Sequence, residues 1–495
     1  MLNSAAMRYL VCSLLTVILL SGGELSAPER SLLTPIAADT LKGHVSFLAS
    51  DALEGRDTPS RGLEVAGEYI ASQFRRFGLE PAGDEGYFQN APYAQVTQPM
   101  DQFQVTLDSS GKTWKAAPAS VMLTAASAVS LAGADVVKVT LPDENAPLPA
   151  RELVEGKAVI LVAPGRTRAM MNRRDAVLAM GPTAVVMAGF VFSSGPRLIE
   201  SRVEGAPRRA PLVVTSDPDF VTFAADLPEG ATPAKLTATL QAAVDQPIKL
   251  KNVIAKLPGS DPRLADTYIL LTAHYDHVGL SLRGEGDRIN NGANDDASGV
   301  ATVLSLAEAF SRLPQRPKRT IVFMTYFGEE KGLFGSRYYA SHPVFPLAKT
   351  VANLNFEHMG RTDDNEGPRA GKITASGFDY TTIGDVLTEA GRLTGVEAWK
   401  HEKNSDLFFA RSDNQALADA GVPALTVAVA WIFPDYHRPG DEWEKLDYAN
   451  MEKVVRTCAI TVSRIANEEK APGWVETNPK VDKYVKAWKT LHAGN

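Results

Sequence analysis

The sequence predicts an α/β fold, a mostly parallel central sheet flanked by helices, with a smaller β-rich domain inserted into it. Three observations carry that reading. The runs Tyr268 to Ala273, Thr320 to Phe327, Ala352 to Phe356 and Ala424 to Ala430 are mostly apolar and of strand length, and continuous apolar runs mark strands covered on both faces of a parallel sheet. Between the first two lies Ser298 to Leu313, whose Val300, Val303, Leu304, Ala307 and Phe310 recur at helical spacing. Strand, helix and strand thus follow in α/β order. From Trp114 to Val244 the texture changes to Ala-rich segments and short strand-like runs, such as Ala158 to Val162 and Ala184 to Met187, with no histidine.

Taken in chain order, the first element is an uncharged apolar run, Tyr9 to Leu20, preceded by Arg8. It is much shorter than the ~20 residues that span a bilayer, and reads as a signal peptide over residues 1–23, with Ser21 and Gly23 permitting cleavage before Glu24. No later stretch is apolar enough to cross a membrane. The expectation is an exported chain, periplasmic or secreted, with no stable membrane insertion once the leader is removed. Thr34 to Phe77 predicts helices, with Leu41, Val45 and Leu48 on one face and Val65, Tyr69, Ile70 and Phe74 on another, before a Gly- and Pro-rich stretch from Gly78 to Gly86. The principal domain is therefore expected at 34–113 and 248–470, the insert at 114–247, and a polar tail with one short helix at 471–495.

Composition narrows the function. The 495 residues carry 51 Lys and Arg against 58 Asp and Glu, a formal charge of −7, and the densest basic cluster is Arg316, Lys318 and Arg319. That is too short for a nucleic-acid patch. Of the two cysteines, Cys12 lies in the leader, which leaves Cys458 with no partner for an internal disulfide. Its neighbours Met451, Val454, Val455, Val462 and Ile465 repeat at helical spacing and make it a core residue, not a nucleophile.

Five segments supply metal-type ligands. His274-Tyr275-Asp276, Glu329-Glu330, Glu357 and His437 each follow the carboxyl end of a predicted strand, and Asp295 starts the helix after the first strand. Open α/β sheets place their sites at that edge. Imidazole with carboxylate suits zinc or a similar transition metal better than calcium or magnesium, which prefer oxygen. Glu329 and Glu330 are adjacent and cannot both point the same way from a strand end, so one can bind metal while the other faces water. His44, His277, His342, His401 and His492 are read as non-ligands, and His358 as structural.

Six pieces in this order, AHYDHVG (Ala273 to Gly279), NGANDDASG (Asn291 to Gly299), GEEKGLFGS (Gly328 to Ser336), NFEHMGR (Asn355 to Arg361), RSDNQAL (Arg411 to Leu417) and DYHRPGDEWEK (Asp435 to Lys445), resemble the co-catalytic di-zinc aminopeptidase family of the bacterial leucyl aminopeptidase type. The resemblance covers Thr34 to about Gly86 and Asn252 to about Ala466. It implies a fold of the zinc exopeptidase type and two Zn²⁺ per chain. His274 and Glu357 hold one ion, His437 and Glu330 the other, and Asp295 bridges them. It further implies Glu329 as general base, Tyr436 as oxyanion donor, Arg411 as a substrate contact and Asp276 as the acceptor that orients His274. The family commonly has Asp where this chain has Glu357. The expected activity is hydrolysis of the N-terminal residue from peptides with free N-termini.

GKAVILVAPG (Gly156 to Gly165) and GPTAVVMAG (Gly181 to Gly189) make the insert resemble a protease-associated domain. The alternatives are a carboxypeptidase or a glutaminyl cyclase on the same fold, the cyclase normally with one zinc. A further alternative is a metal-free receptor-like binding protein, which predicts missing ligands where this chain has every position filled.

Overall fold

The sheet that positions the candidate site is built from strands between Val244 and Ala428. The computed structural model describes residues 24–165, 167–189, 197–200, 210–281 and 285–493; the leader expected at 1–23 lies outside them. Two compact units divide the chain, one made of residues up to Gln89 and from Lys251, the other of Asn90 to Leu250.

The main strands of the first unit are β1 (Val244–Leu257, which belongs to this unit from Lys251 on), β2 (Tyr268–His274), β3 (Thr320–Tyr326), β4 (Thr350–Phe356), β5 (Lys372–Ser376) and β6 (Ala424–Ala428). Their spatial order is β5-β6-β4-β2-β3-β1. The central four are parallel, and β1 and β5 flank them antiparallel. β3 and β6 are buried at every residue, which is why their sequences are apolar without alternation.

Helices α1 (Ala38–Leu48), α2 (Arg61–Arg76), α3 (Ser298–Ser311), α4 (Tyr448–Asn467) and α5 (Asp482–His492) cover this unit. α3, read from sequence as amphipathic, is buried on all sides from Ser298 to Phe310, because α1 and α2 also pack on it. On α2 the expected face is off by part of a turn: Leu63, Ala66, Ile70 and Phe74 are buried, whereas Val65 is exposed. Cys458 on α4 is fully buried, and burial pushes its thiol pKa up. The C-terminal segment is not a loose tail, since Trp474, Val481 and Tyr484 join Leu417 and Ala418 in one buried cluster.

The second unit holds an eight-stranded mixed sheet. Gln104–Ser109 and Lys112–Lys115 are two of its strands, Gln104–Ser109 pairing with Gly230–Leu240. The unit therefore starts at Asn90, earlier than the change of texture at Trp114 indicates. Among the described residues no helix is long and apolar enough to cross a membrane.

Candidate metal centre

Register brings the site together. His274, the last residue of β2, is opposite Tyr326, the last of β3, and Phe356 at the end of β4 is opposite Val427 of β6. Glu329, Glu330 and Glu357 follow within a few residues of those ends, so all emerge at the carboxyl edge of the sheet. Asp295 joins them from the loop that enters α3.

The two carboxylate oxygens of Asp295 face different imidazoles. Oδ1 lies 3.1 Å from His274 Nε2 and Oδ2 lies 3.1 Å from His437 Nε2. Glu330 Oε1 stands 3.1 Å from His437 Nε2, and Glu357 Oε1 stands 3.9 Å from His274 Nε2. Donors bound to one tetrahedral zinc at ~2.0–2.1 Å lie about 3.3 Å apart, so these gaps are of the size an ion spans. His277 also enters the cluster. One donor atom each from His277, Asp295, Glu330 and His437 lie within 4.8 Å of one another. The set is nitrogen and oxygen throughout, a chemistry that fits zinc.

Neighbouring side chains hold these groups in place. Ser412 Oγ donates to Glu357 Oε1 and accepts from Asn355 Nδ2 at 2.8 Å. The Asp441 carboxylate accepts the backbone N–H groups of Asn294 and Asp295, each at 3.0 Å. Arg56, fully buried, donates to the carbonyls of Tyr275 at 2.9 Å, Asn291 at 2.7 Å and Gly292 at 2.9 Å. One guanidinium thus ties the loop after β2 to the loop that carries Asp295. The hydrogen bond of His274 Nδ1 goes to the backbone carbonyl of Asp276 at 3.2 Å, with the Asp276 carboxylate at 3.6 Å. That carboxylate accepts instead from the Glu329 N–H and the Thr58 hydroxyl, both at 3.1 Å.

Electrostatically the cluster is a set of mutually dependent charges. Burial works against a charged Glu330, but the imidazoles of His277 and His437 outweigh it and hold the carboxyl at about 2. Burial also disfavours a charged His437, yet Asp295 and Glu330 raise it to about 10. Burial pushes Glu329 well above the usual carboxylate range, helped by Glu357 and Glu330 and opposed by His274.

A cavity of about 330 Å³ opens on the cluster, lined by His274, Asp295, Glu329, Glu330, Glu357 and Tyr436. The Tyr436 ring stacks on His437 with centroids 3.9 Å apart. Arg411 lines the same cavity with its guanidinium 4.9 Å from the Phe408 ring centroid, and Arg337 is a second cation on the wall. His358 Nε2 is 3.7 Å from Asp295 Oδ1, and its ring meets Phe433 and Tyr436 edge on.

Of the residues the cluster contains, His277 is the one the sequence reading set aside. The signal for it is present in AHYDHVG, where a second imidazole three residues after the first leaves the same strand end. Asp441 and Ser412 lie inside quoted motifs as well, but their contacts are to backbone or to another acid and have no signature of their own.

A mostly parallel α/β unit with imidazoles and carboxylates gathered at its carboxyl edge defines a metal-site protein of the open-sheet class. Residues 252–462 match the model of peptidase family M28. The chain is 31% identical over 206 residues to a probable zinc metalloprotease of Pyricularia oryzae, covering 41% of this chain and 39% of that protein. It is 34% identical over 252 residues to a probable zinc metalloprotease of Pyrenophora teres f. teres, covering 47% and 52%. The chain thus spans about half or less of these relatives' length. Its fold is shared with an aminopeptidase from Aneurinibacillus sp. strain AM-1, with a TM-score of 0.58 at 20% identity over 90% of this chain and 97% of that one.

Proposed function

We propose that the protein is a di-zinc aminopeptidase, hydrolysing the N-terminal residue from peptides. The observation that carries this is the placement of the two Asp295 oxygens, each 3.1 Å from a different imidazole, beside a cavity that Glu329 also lines. Asp295 would then bridge two ions, with His274 and Glu357 holding one and Glu330 and His437 the other. Bound there, zinc supplies Lewis-acid polarisation of the peptide carbonyl and lowers the pKa of water to about 7.

The chain's own residues do the rest. Glu329 takes a proton from the attacking water and passes it to the leaving amine. Asp276, through the Glu329 N–H, fixes where that carboxylate starts. Tyr436 donates its hydroxyl to the oxyanion as charge develops. Arg411, which lines the same cavity, contacts substrate. The inserted unit, similar to a protease-associated domain, belongs to the same proposal, and the apolar run Tyr9 to Leu20 supports action after export.

The two cations Arg337 and Arg411 that line the cavity support a second reading, a carboxypeptidase that holds a terminal carboxylate. One assay separates the two: free, N-blocked and C-amidated peptides, each with and without chelator. Chelator-sensitive cleavage of free but not N-blocked peptides is expected. Cleavage of N-blocked peptides that fails on C-amidated ones overturns the aminopeptidase in favour of the second reading, and activity in zinc-free protein overturns both.

A further inference from the structure

We infer that His277 is a direct donor, through Nδ1, to the ion held by Asp295, Glu330 and His437, which gives that site four protein ligands while the site at His274 and Glu357 keeps an open position. The inference rests on the zinc peptidase reading above and specifies it.

Geometry is the first support. His277 Nδ1 is 3.0 Å from Glu330 Oε1 and 3.8 Å from Asp295 Oδ2; His437 Nε2 is 3.1 Å from each of the same two oxygens. The two rings meet edge to face at 5.5 Å between centroids. Two imidazoles therefore converge on one pair of acids from different directions.

The second support is an unmet hydrogen-bonding demand. His277 is fully buried, and neither of its ring nitrogens has a hydrogen-bond partner; Glu330 Oε1 has none either. The 3.0 Å approach between them is short enough for a hydrogen bond but lacks the angle of one. Buried polar atoms in native proteins are nearly always paired. A close, off-angle contact between two lone-pair donors is the arrangement expected when both point at a third body between them and not at each other.

Third, the backbone makes room for this ring. Gly292 lies in the left-handed region at φ +63, and a Cβ there would fall 2.5 Å from His277 Cγ and 2.6 Å from Cδ2. A glycine is needed both for the turn and for the imidazole. A core histidine kept only for packing has no need of an unpaired nitrogen directed at two carboxylates.

The consequence is asymmetry. Four-ligand sites are the closed arrangement of structural zinc, and three protein ligands with an open position are the catalytic one. One ion is then held tightly for architecture, and the other exchanges and meets substrate. The test is a dipicolinate titration of zinc-loaded protein, reading zinc per chain by elemental analysis. Wild type should release one equivalent early and the second only at much higher chelator. In His277→Ala the late equivalent should leave more than about 100-fold earlier, beyond the 10- to 100-fold that loss of an outer-sphere partner costs. An unchanged release curve in a folded His277→Ala overturns the inference while leaving the peptidase reading intact; a wild type that binds no zinc overturns both. A measurement on wild type covers the case in which the variant does not fold. X-ray absorption of the protein carrying one equivalent of zinc should show two imidazoles per ion, and one imidazole overturns the assignment.

Discussion

The Asp276 carboxylate accepts the backbone N–H of Glu329 at 3.1 Å while the Asp276 carbonyl accepts from His274 Nδ1 at 3.2 Å. One residue therefore sets both a candidate ligand and the candidate base. Asp276→Ala frees the Glu329 backbone and leaves the Thr58 hydroxyl without its acceptor, so turnover should fall about 10- to 100-fold. Asp276→Asn keeps an oxygen for the Glu329 N–H, and its amide can donate to Thr58, so most of the activity should return. Rates for the two variants, with zinc content measured on the same samples, check this. Equal losses in both would show that the charge, and not the hydrogen bond to Glu329, is what matters.

Glu329→Gln should bind both metals and fold normally but lose turnover at the upper end of the about 10²- to 10⁴-fold range of general acid/base catalysis. The change is nearly isosteric, so KM should move much less than kcat. Glu330→Gln should instead lose zinc, since Glu330 Oε1 is the oxygen beside both His437 and His277. Zinc stoichiometry with single-turnover rates separates the two roles. Zinc loss in the Glu329 variant and retention in the Glu330 variant would reverse the assignment.

Asp295→Ala should cost more than Glu357→Asp. Removing Asp295 takes an oxygen from two imidazoles at once, and it leaves the Asp441 carboxylate holding a backbone N–H with no acid beyond it. Shortening Glu357 retains the charge and only draws it back from Ser412. Elemental analysis should find both ions depleted in the first variant and at most one in the second.

How much of this is legible in sequence depends on how local each signal is. The parallel strands are legible because burial on both faces leaves a continuous apolar run, and the convergence follows once His274, Glu330, Glu357 and His437 are placed after strand ends and Asp295 at the start of the helix that follows the first strand. Arg56 is invisible in this way: it sits 219 residues from Tyr275 and 236 from Gly292, and its partners are carbonyls, which every residue has. The start of the second unit is hidden for a related reason, since Gln104–Ser109 is recruited by a strand beginning at Gly230. Val65 is misplaced because it shares helical spacing with Tyr69, whereas the residues that prove buried beside Ile70 and Phe74 are Leu63 and Ala66.

His44 on α1 lies outside the candidate metal cluster. Its side chain is buried, Nδ1 meets the Tyr69 hydroxyl at 2.9 Å, and Nε2 has no hydrogen-bond partner. Burial, with the Arg76 guanidinium adding repulsion, holds its pKa down at about 4. In the unfolded chain the imidazole titrates near the ordinary ~6.5. The native state therefore keeps His44 neutral where the unfolded state takes up a proton. The stability tied to this neutral ring is fully present above about pH 6.5 and is lost as pH falls from there toward 4, with no further loss below. A shift of about 2.5 units at 1.36 kcal/mol each makes the loss about 3 kcal/mol. His44→Gln removes the titration while keeping a polar group for Tyr69. The variant should be somewhat less stable than wild type at pH 7.5 and should lose about 3 kcal/mol less between pH 7.5 and pH 4. Urea unfolding of both proteins at the two pH values checks it, and comparing the differences cancels the acid sensitivity of the metal cluster, which both share. Parallel stability curves for the two proteins would mean that His44 is not held neutral by burial.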